Sequence, residues 1–473
     1  MQSLIKEIQI PGLTPQRALS ALRGARPTYT PCFLLESATP DNKQGQYSYL
    51  GINPFHTYQS SGENPLPALK KLIHKFWPKS KSSLSTINDP KKTTDLKTYR
   101  PKDLQTQKNL PFTSGPVGYF SYEMLHHLES VPHAKLNDLN MADAYFLFFD
   151  TVIVFDHSNT KTYISLTRCS NKAEAEMKAA LLIDQLSSEI LGDQKTIAAE
   201  QSLVSLTPNM SRKHFEDIVK KSKDYIRDGD TYQVNLSQRF STSFTLDPFE
   251  LYQALAAINP SPFGGFIDFG DMQIVSSSPE RLLQLAGRQV QTRPIAGTST
   301  PDKQHELRLS EKDRAEHIML VDLERNDLGR ICEYGTVRVN ELMTCEHYSH
   351  VSHIVSNIKG ILQEGKNWSD VVTACFPGGT ITGTPKVRTM EIISELEPTA
   401  RGAYTGSMGF IDYRGGMDLN IIIRSLIIQD QKAHFQVGAG IVADSDPGAE
   451  YEETLHKGQA LRLALEKCYG LSS

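Results

Sequence analysis

Residues 211–244 read SRKHFEDIVKKSKDYIRDGDTYQVNLSQRFSTSF, and the stretch changes its period in the middle. Phe215, Ile218, Val219 and Ile226 recur every three or four residues, so they line one face of a helix. Ser211 is placed to cap that helix, and Asp228-Gly229-Asp230 to stop it. From residue 232 to 244 the pattern becomes that of a strand. The same exchange repeats outward. Towards the C-terminus, residues 273–278, 289–295, 417–428 and 433–442 read as strands, while 306–322, 368–376, 385–395 and 449–466 read as helices. Towards the N-terminus, Leu69, Leu72, Ile73 and Phe76 mark an amphipathic helix, and residues 143–157 (DAYFLFFDTVIVFDH) a buried strand or strand pair. Residues 172–191 form another helix by the same spacing. Strands and helices alternate without a strict βαβ beat, which predicts an α+β fold built on large sheets rather than a doubly wound one.

The chain has 473 residues, enough for two to four domains or one large domain with additions. Fifty Lys and Arg face 54 Asp and Glu, a net charge of −4, without the basic excess of a nucleic-acid surface. No apolar run reaches the roughly 18 residues of a membrane span. The first residues lack a charged segment followed by an apolar one, so no secretory signal is expected. Six cysteines lie far apart with no C-x-x-C pair, as expected of reduced thiols in the cytoplasm rather than a disulfide scaffold or zinc site. Residues 79–110 are rich in Lys, Ser, Thr and Pro, the composition of a long mobile surface loop. Residues 198–208 resemble a linker, which divides the chain into an N-terminal region, 1–200, and a second region, 208–470.

Two acidic pairs carry the first chemical signal. Asp313 and Glu316 stand three apart on one expected helix, Glu450 and Glu453 on another. Residues at i and i+3 share a helix face, so each pair can aim two carboxylates at one point. Two such faces meeting would make an oxygen-only site suited to Mg²⁺; standing apart, they are solvated faces paired with Lys312, Arg314 or Lys457. Residues 376–386 (FPGGTITGTPK) look like a phosphate loop but place Thr384 where its lysine belongs. Residues 438–443 (GAGIVA) follow a strand, yet 444–448 intervene before any helix, unlike a dinucleotide fingerprint. Both loops can still offer backbone N–H groups to a carboxylate. His350 and His353 fall on opposite faces of an expected strand, and neither G-x-S-x-G nor H-E-x-x-H occurs.

Several ordered blocks together resemble one family, the chorismate-utilising enzymes, meaning the large subunits of anthranilate synthase and aminodeoxychorismate synthase. They are GDTYQVNLSQR at 229–239, SSSPER at 276–281, RPIAGT at 293–298, DLERNDLGR at 322–330, the 376–386 loop and GAGIVADS at 438–445, with LLES at 34–37 and YSYLG at 47–51 in the first half. The resemblance implies the large two-sheet α/β sandwich of the anthranilate synthase type. It implies Glu316 and Glu453 as Mg²⁺ carboxylates, with Asp313 and Glu450 beside them, Asp313 being shorter than the Glu some members carry. It implies Arg424, Tyr404 and the Gly438, Ala439 and Gly440 amides as a clamp on the enolpyruvyl carboxylate of chorismate, with Gly297 and Thr298 also at the substrate. Glu280 matches a general acid/base, and His353 and Thr380 match positions near the ring and its leaving hydroxyl. Ser37, Pro262, Phe263 and Gly264 match the family's tryptophan pocket, where the usual Met is absent and Gln46 replaces a common Arg; weak or no feedback by tryptophan is expected.

Relatives that add water carry a Lys base where this chain has Gln233, so ammonia is the expected nucleophile. Ala296 resembles the anthranilate synthases. Asn235, the GGTITG loop, IDY at 411–413, MDLN at 417–420 and NPSPFG at 259–264 resemble the aminodeoxychorismate branch, some members of which also carry P-I-A-G-T. The expected activity is aminodeoxychorismate synthase, with anthranilate synthase as the alternative and an inactive chorismate-binding paralogue as a remote one. No glutaminase block such as a G-x-C-x-G elbow occurs in the chain, so the resemblance implies ammonia from a separate glutamine amidotransferase subunit.

Overall fold

The computed structural model describes residues 2–24, 31–37, 45–77, 110–190, 204–299, 311–347 and 352–470. Two antiparallel sheets dominate it. The larger, of 12 strands, runs from Gln2–Ile8 at one edge through Lys161–Cys169, Thr151–Asp156, Tyr47–Ile52 and Cys32–Glu36. It continues through Phe263–Asp268, Met272–Ser278, Ser425–Gln429, Lys432–Ile441 and Gln233–Ser243 to Gly383–Thr384. The smaller, of 10 strands, passes from Ile295–Ser299 through Ser352–Ile361, Gln289–Arg293, Arg281–Ala286, Met417–Asn420 and Ser407–Ile411 to Gly115–Phe120, Ala144–Phe149 and His56–Ser60. Residues before 200 and after 208 therefore share both sheets. Phe266 pairs with Leu34 in the first, and Ser407 with Phe120 in the second.

The sheets pack face to face over Phe33, Tyr49, Phe112, Tyr119, Phe149 and Phe410. The rings of Phe33 and Phe149 lie 4.7 Å apart edge to face, and those of Phe112 and Phe410 are stacked at 4.4 Å. Gly51 makes room for this contact, because a Cβ there would come 2.4 Å from the Phe33 ring. Helices cover the outer faces. Pro248–Ile258 and Pro447–Cys468 bury Leu251, Leu255, Leu461 and Leu465 on the larger sheet. Pro65–Phe76, Glu311–Gly329 and Trp368–Cys375 do the same for the smaller. The α+β expectation and the two-sheet sandwich both hold.

Several expected elements change. Residues 417–428 are two strands, Met417–Asn420 in the smaller sheet and Ser425–Gln429 in the larger, so the chain crosses between sheets at 421–424. Residues 143–157 do the same, with Ala144–Phe149 in one sheet and Thr151–Asp156 in the other. A strand covered on both faces has no polar alternation to reveal where one sheet ends. The helix expected over 306–322 is Glu311–Gly329, ending two turns later. The end of the expected linker is ordered, since Thr207 and Pro208 pair with Ser241 and Phe240. The stretch 79–110 lies outside the described residues except for Leu110. The Ser211 cap is present, its side chain accepting from the His214 N–H. Six unpaired cysteines are present, and among the described residues no helix is long and apolar enough to cross a membrane.

Candidate active site

The site grows from one strand pair. Gln233–Ser243 and Lys432–Ile441 run antiparallel with Ser237 opposite Gly438 and Asn235 opposite Gly440. A Cβ at 438 would lie 2.6 Å from Asn235 Oδ1 and 2.8 Å from the Tyr404 hydroxyl; at 440 it would lie 2.5 Å from Gln233 Nε2. Only glycine admits those side chains over the backbone. Pairing with Ser425–Gln429 ends at Phe435, so beyond it this strand has a ladder partner on one edge only among the described residues.

Three glutamates are tied to the end of this strand, each through a different partner. Glu316, from the Glu311–Gly329 helix, accepts from Gln233 Nε2 at 2.7 Å and lies 3.7 Å from the Cβ position of Gly440. Beyond Ile441 the chain turns, Asp446 caps the last helix by accepting from the Ala449 N–H, and Ser445 donates to Glu450 at 2.6 Å. One turn on, Glu453 pairs with Lys457 at 2.6 Å, and Lys457 also donates to the Gly438 carbonyl. Asp313 belongs to the same helix as Glu316, but its side chain lies outside the described residues. Among the described residues no three of His, Cys, Asp and Glu converge as a ready metal cluster. The donors are all carboxylate oxygens, the set a hard cation such as Mg²⁺ takes, and Glu453 is about half exposed (49%), open to solvent.

Arg424 faces the same place. It closes the crossing between sheets with φ at 52°, a left-handed backbone that costs a non-glycine residue of order 1–3 kcal/mol. Burial lowers its pKa, opposed by Tyr404 and Glu453, and its guanidinium makes no hydrogen bond or ion pair among the described residues. A cation so placed can receive an anion.

A second group lies behind the Gly378–Thr382 turn. Glu280 is buried, accepts from the Ile295 N–H at 3.4 Å, and has Thr380 beside it. Burial pushes its carboxyl up to about 8, so it keeps its proton at neutral pH. Ile295 opens the strand carrying Ala296, Gly297 and Thr298, whose backbone pairs Thr298 with His353. The side chains of residues 296–299 and of His353 lie outside the described residues. Glu280 and Thr380 thus come together, with the strands of Gly297, Thr298 and His353 against them.

The sequence reading missed other buried polar residues. Glu324 accepts from Thr292 Oγ1 at 3.0 Å and from the Gly379 N–H at 3.4 Å. His317 is fully buried and neutral, its pKa lowered to about 4 by desolvation, with Nε2 2.6 Å from Ser356 Oγ. Arg401 pairs with Glu397 and donates to the Asn235 and Ile381 carbonyls. The signal for the first two was helical spacing: His317, Leu320, Val321, Glu324 and Leu328 form one buried face.

Ser37, Pro262, Phe263 and Gly264 meet elsewhere, on a cavity of about 840 Å³ between the sheets, also lined by Gln46, Glu36, Tyr47 and Met408. Its two arginines are paired with carboxylates of the same lining. Arg281 grips Asp418 with two hydrogen bonds, at 2.9 and 3.0 Å, under the Phe263 ring, and Arg414 grips Asp412. Glu36 accepts from the Tyr252 hydroxyl and Gln16, and burial raises its pKa. Neither Glu316, Glu453 nor Arg424 lines this cavity.

Residues 30–462 match the chorismate binding enzyme family. Aminodeoxychorismate synthase component 1 of Bacillus subtilis is 40% identical over 447 residues, covering 92% of this chain and 91% of that protein. Anthranilate synthase component 1 of Acetivibrio thermocellus is also 40% identical, over 472 residues, covering 92% of this chain and 90% of that protein. The crystal structure of anthranilate synthase component I from Streptococcus pneumoniae superposes with a TM-score of 0.75 at 32% identity, over 96% of this chain and 99% of that one.

Proposed function

The chain belongs to the chorismate binding enzyme family, and from that premise we propose that it aminates chorismate with ammonia to 4-amino-4-deoxychorismate, the precursor of para-aminobenzoate in folate biosynthesis. The observation that carries amination is Gln233. Its amide donates to Glu316 at the heart of the site, and an amide cannot take a proton from water there. Ammonia, already nucleophilic, needs no such base. It comes from a separate glutamine amidotransferase subunit, a partner in keeping with the name component 1 carried by the relatives.

Chorismate is a small dianion meeting a chain of net charge −4. Arg424, with Tyr404 and the open edge of Gly438–Gly440, would take the enolpyruvyl carboxylate. Mg²⁺ would be held by Glu316 and Glu453, with Asp313 and Glu450 beside them, and would supply positive charge to the ring carboxylate. Glu280, protonated at neutral pH, would give its proton to the ring hydroxyl, which leaves as water while the nitrogen of ammonia takes a ring carbon. Thr380, Gly297, Thr298 and His353 would line the approach to that hydroxyl.

Asn235, whose Oδ1 has no hydrogen-bond partner among the described residues and lies against Gly438, supports the aminodeoxychorismate branch, which its Q-V-N-L block resembles. Ala296 supports the second reading, anthranilate synthase, which the Acetivibrio relative favours equally by identity. Incubating the protein with chorismate, ammonium and Mg²⁺ and identifying the product by fluorescence and mass decides between them. 4-Amino-4-deoxychorismate is expected, and mainly anthranilate would install the alternative.

A further inference from the structure

Glu324 is a carboxylate that the reaction outlined above does not use, yet it is only 3% exposed and joined to three elements at once. From the Glu311–Gly329 helix it accepts from Thr292, on the strand leading to Ile295, and from the Gly379 N–H, in the turn presenting Thr380. The turn is pressed onto this helix, since a Cβ at Gly379 would come 2.3 Å from the Leu323 side chain and 3.5 Å from Glu324 Oε1. Both neighbours of Glu280, the Ile295 N–H and Thr380, are thus anchored through groups that Glu324 holds.

We propose that Glu324 is a positioning residue for the amination of chorismate, fixing the Gly378–Thr382 turn and the Thr292–Ile295 strand so that Glu280 is held against the substrate's leaving hydroxyl. The proposal rests on the amination reading. A glutamine could hold the same two groups by hydrogen bonds, so the charge of a buried carboxylate here asks for a reason. The charges facing Glu324 are Asp327 on its own helix, Lys386 from the Lys386–Leu396 helix, and Glu280 across the turn, with the Cys375 thiol beyond. Lys386 is already engaged by Asp327 and by the Cys375 carbonyl, and Asp327 also faces Arg330 and Glu129. Burial pushes the Glu324 carboxyl up as well, to about 7, so it is ionised on the alkaline side where Glu280 titrates; met at hydrogen-bond distance by neutral donors, its charge is felt there by Glu280 and favours the protonated acid. Glu324 then positions Glu280 and also keeps its proton on to a higher pH.

Two substitutions separate these effects. Glu324→Gln keeps the shape, with Oε1 towards the Gly379 N–H and Nε2 towards the Thr292 hydroxyl, but removes the charge. Glu324→Asp keeps the charge and withdraws the carboxylate from the turn. In the chorismate–ammonium assay, with product identity ignored, Glu324→Gln should keep KM within about twofold and move the basic limb of the kcat profile to lower pH by about half a unit or more. Glu324→Asp should lower kcat by about tenfold and leave that limb in place. Infrared titration of the buried carboxyl bands reads the same shift without turnover: Glu280 should lose its proton at lower pH in Glu324→Gln than in the wild type. Absence of turnover in the wild-type protein would sink the amination reading, while an infrared shift would still support the coupling. Wild-type kcat in both variants, with limb and infrared titration unmoved, would overturn the proposal.

Discussion

Arg281 and Arg424 stand at the two ends of the same crossing region and meet opposite fates. Arg281, on the cavity between the sheets, is gripped by Asp418 on two of its nitrogens, and nearby Arg414 by Asp412. Arg424, at the acidic strand end, has no carboxylate paired with it among the described residues, and burial works against its charge. A pocket whose ions cancel one another suits a ligand of little net charge. A strained arginine with no ion pair among the described residues suits an anion, because the desolvated charge is fully compensated only when the ligand arrives. On the proposed reading the two places would select by charge, although both lie in the same sandwich and only the sheet crossing at 421–424 separates them.

The sharpest way to break this contrast is at the carboxylates. Glu316→Gln or Glu453→Gln should abolish Mg²⁺-dependent turnover while the circular dichroism spectrum stays that of the parent. Each change removes one ligand charge and leaves its helix intact; near wild-type activity at limiting Mg²⁺ would place the metal elsewhere. Next in size is Arg424→Lys. A bidentate guanidinium–carboxylate contact is not replaced by a point charge, so kcat/KM should fall by the equivalent of about 2–4 kcal/mol. A change below threefold would remove Arg424 from the site. The smallest effect belongs to the cavity. With Gln46 on its wall and its arginines already satisfied, micromolar tryptophan should change turnover by less than about twofold. Strong inhibition would erase the contrast between the two places and favour the anthranilate branch.

What the sequence shows of the site follows from spacing. Glu450 and Glu453, three apart on a helix capped by Asp446, were legible because a helix face is fixed by local geometry. Ser37 and Phe263 are 226 residues apart and met in the cavity only through family likeness, since no local rule joins them. Residues 143–157 and 417–428 were legible as buried strands but not as sheet crossings. Apolar residues bury equally well against either sheet, and the turn of backbone at Arg424 leaves no mark in the order of side chains. Glu324 was quoted in a block but left without a role, because the helix was expected to end at 322 and so the residue fell outside its buried face.

The sharing of both sheets by distant parts of the chain bears on how the protein comes into being on the ribosome. Gly115–Phe120 finds one ladder partner, Ala144–Phe149, soon after it emerges, but its other edge belongs to Ser407–Ile411. Roughly 290 residues separate the two strands, which at about 5–20 residues per second means a wait on the order of 15–60 s. Cys32–Glu36 waits in the same way for Phe263–Asp268. Through that interval apolar edges such as Gly115–Phe120, buried at every position in the finished sandwich, stand unpaired in the nascent chain. They are the segments a chaperone must shield, and the places where a slowed or truncated synthesis would first aggregate.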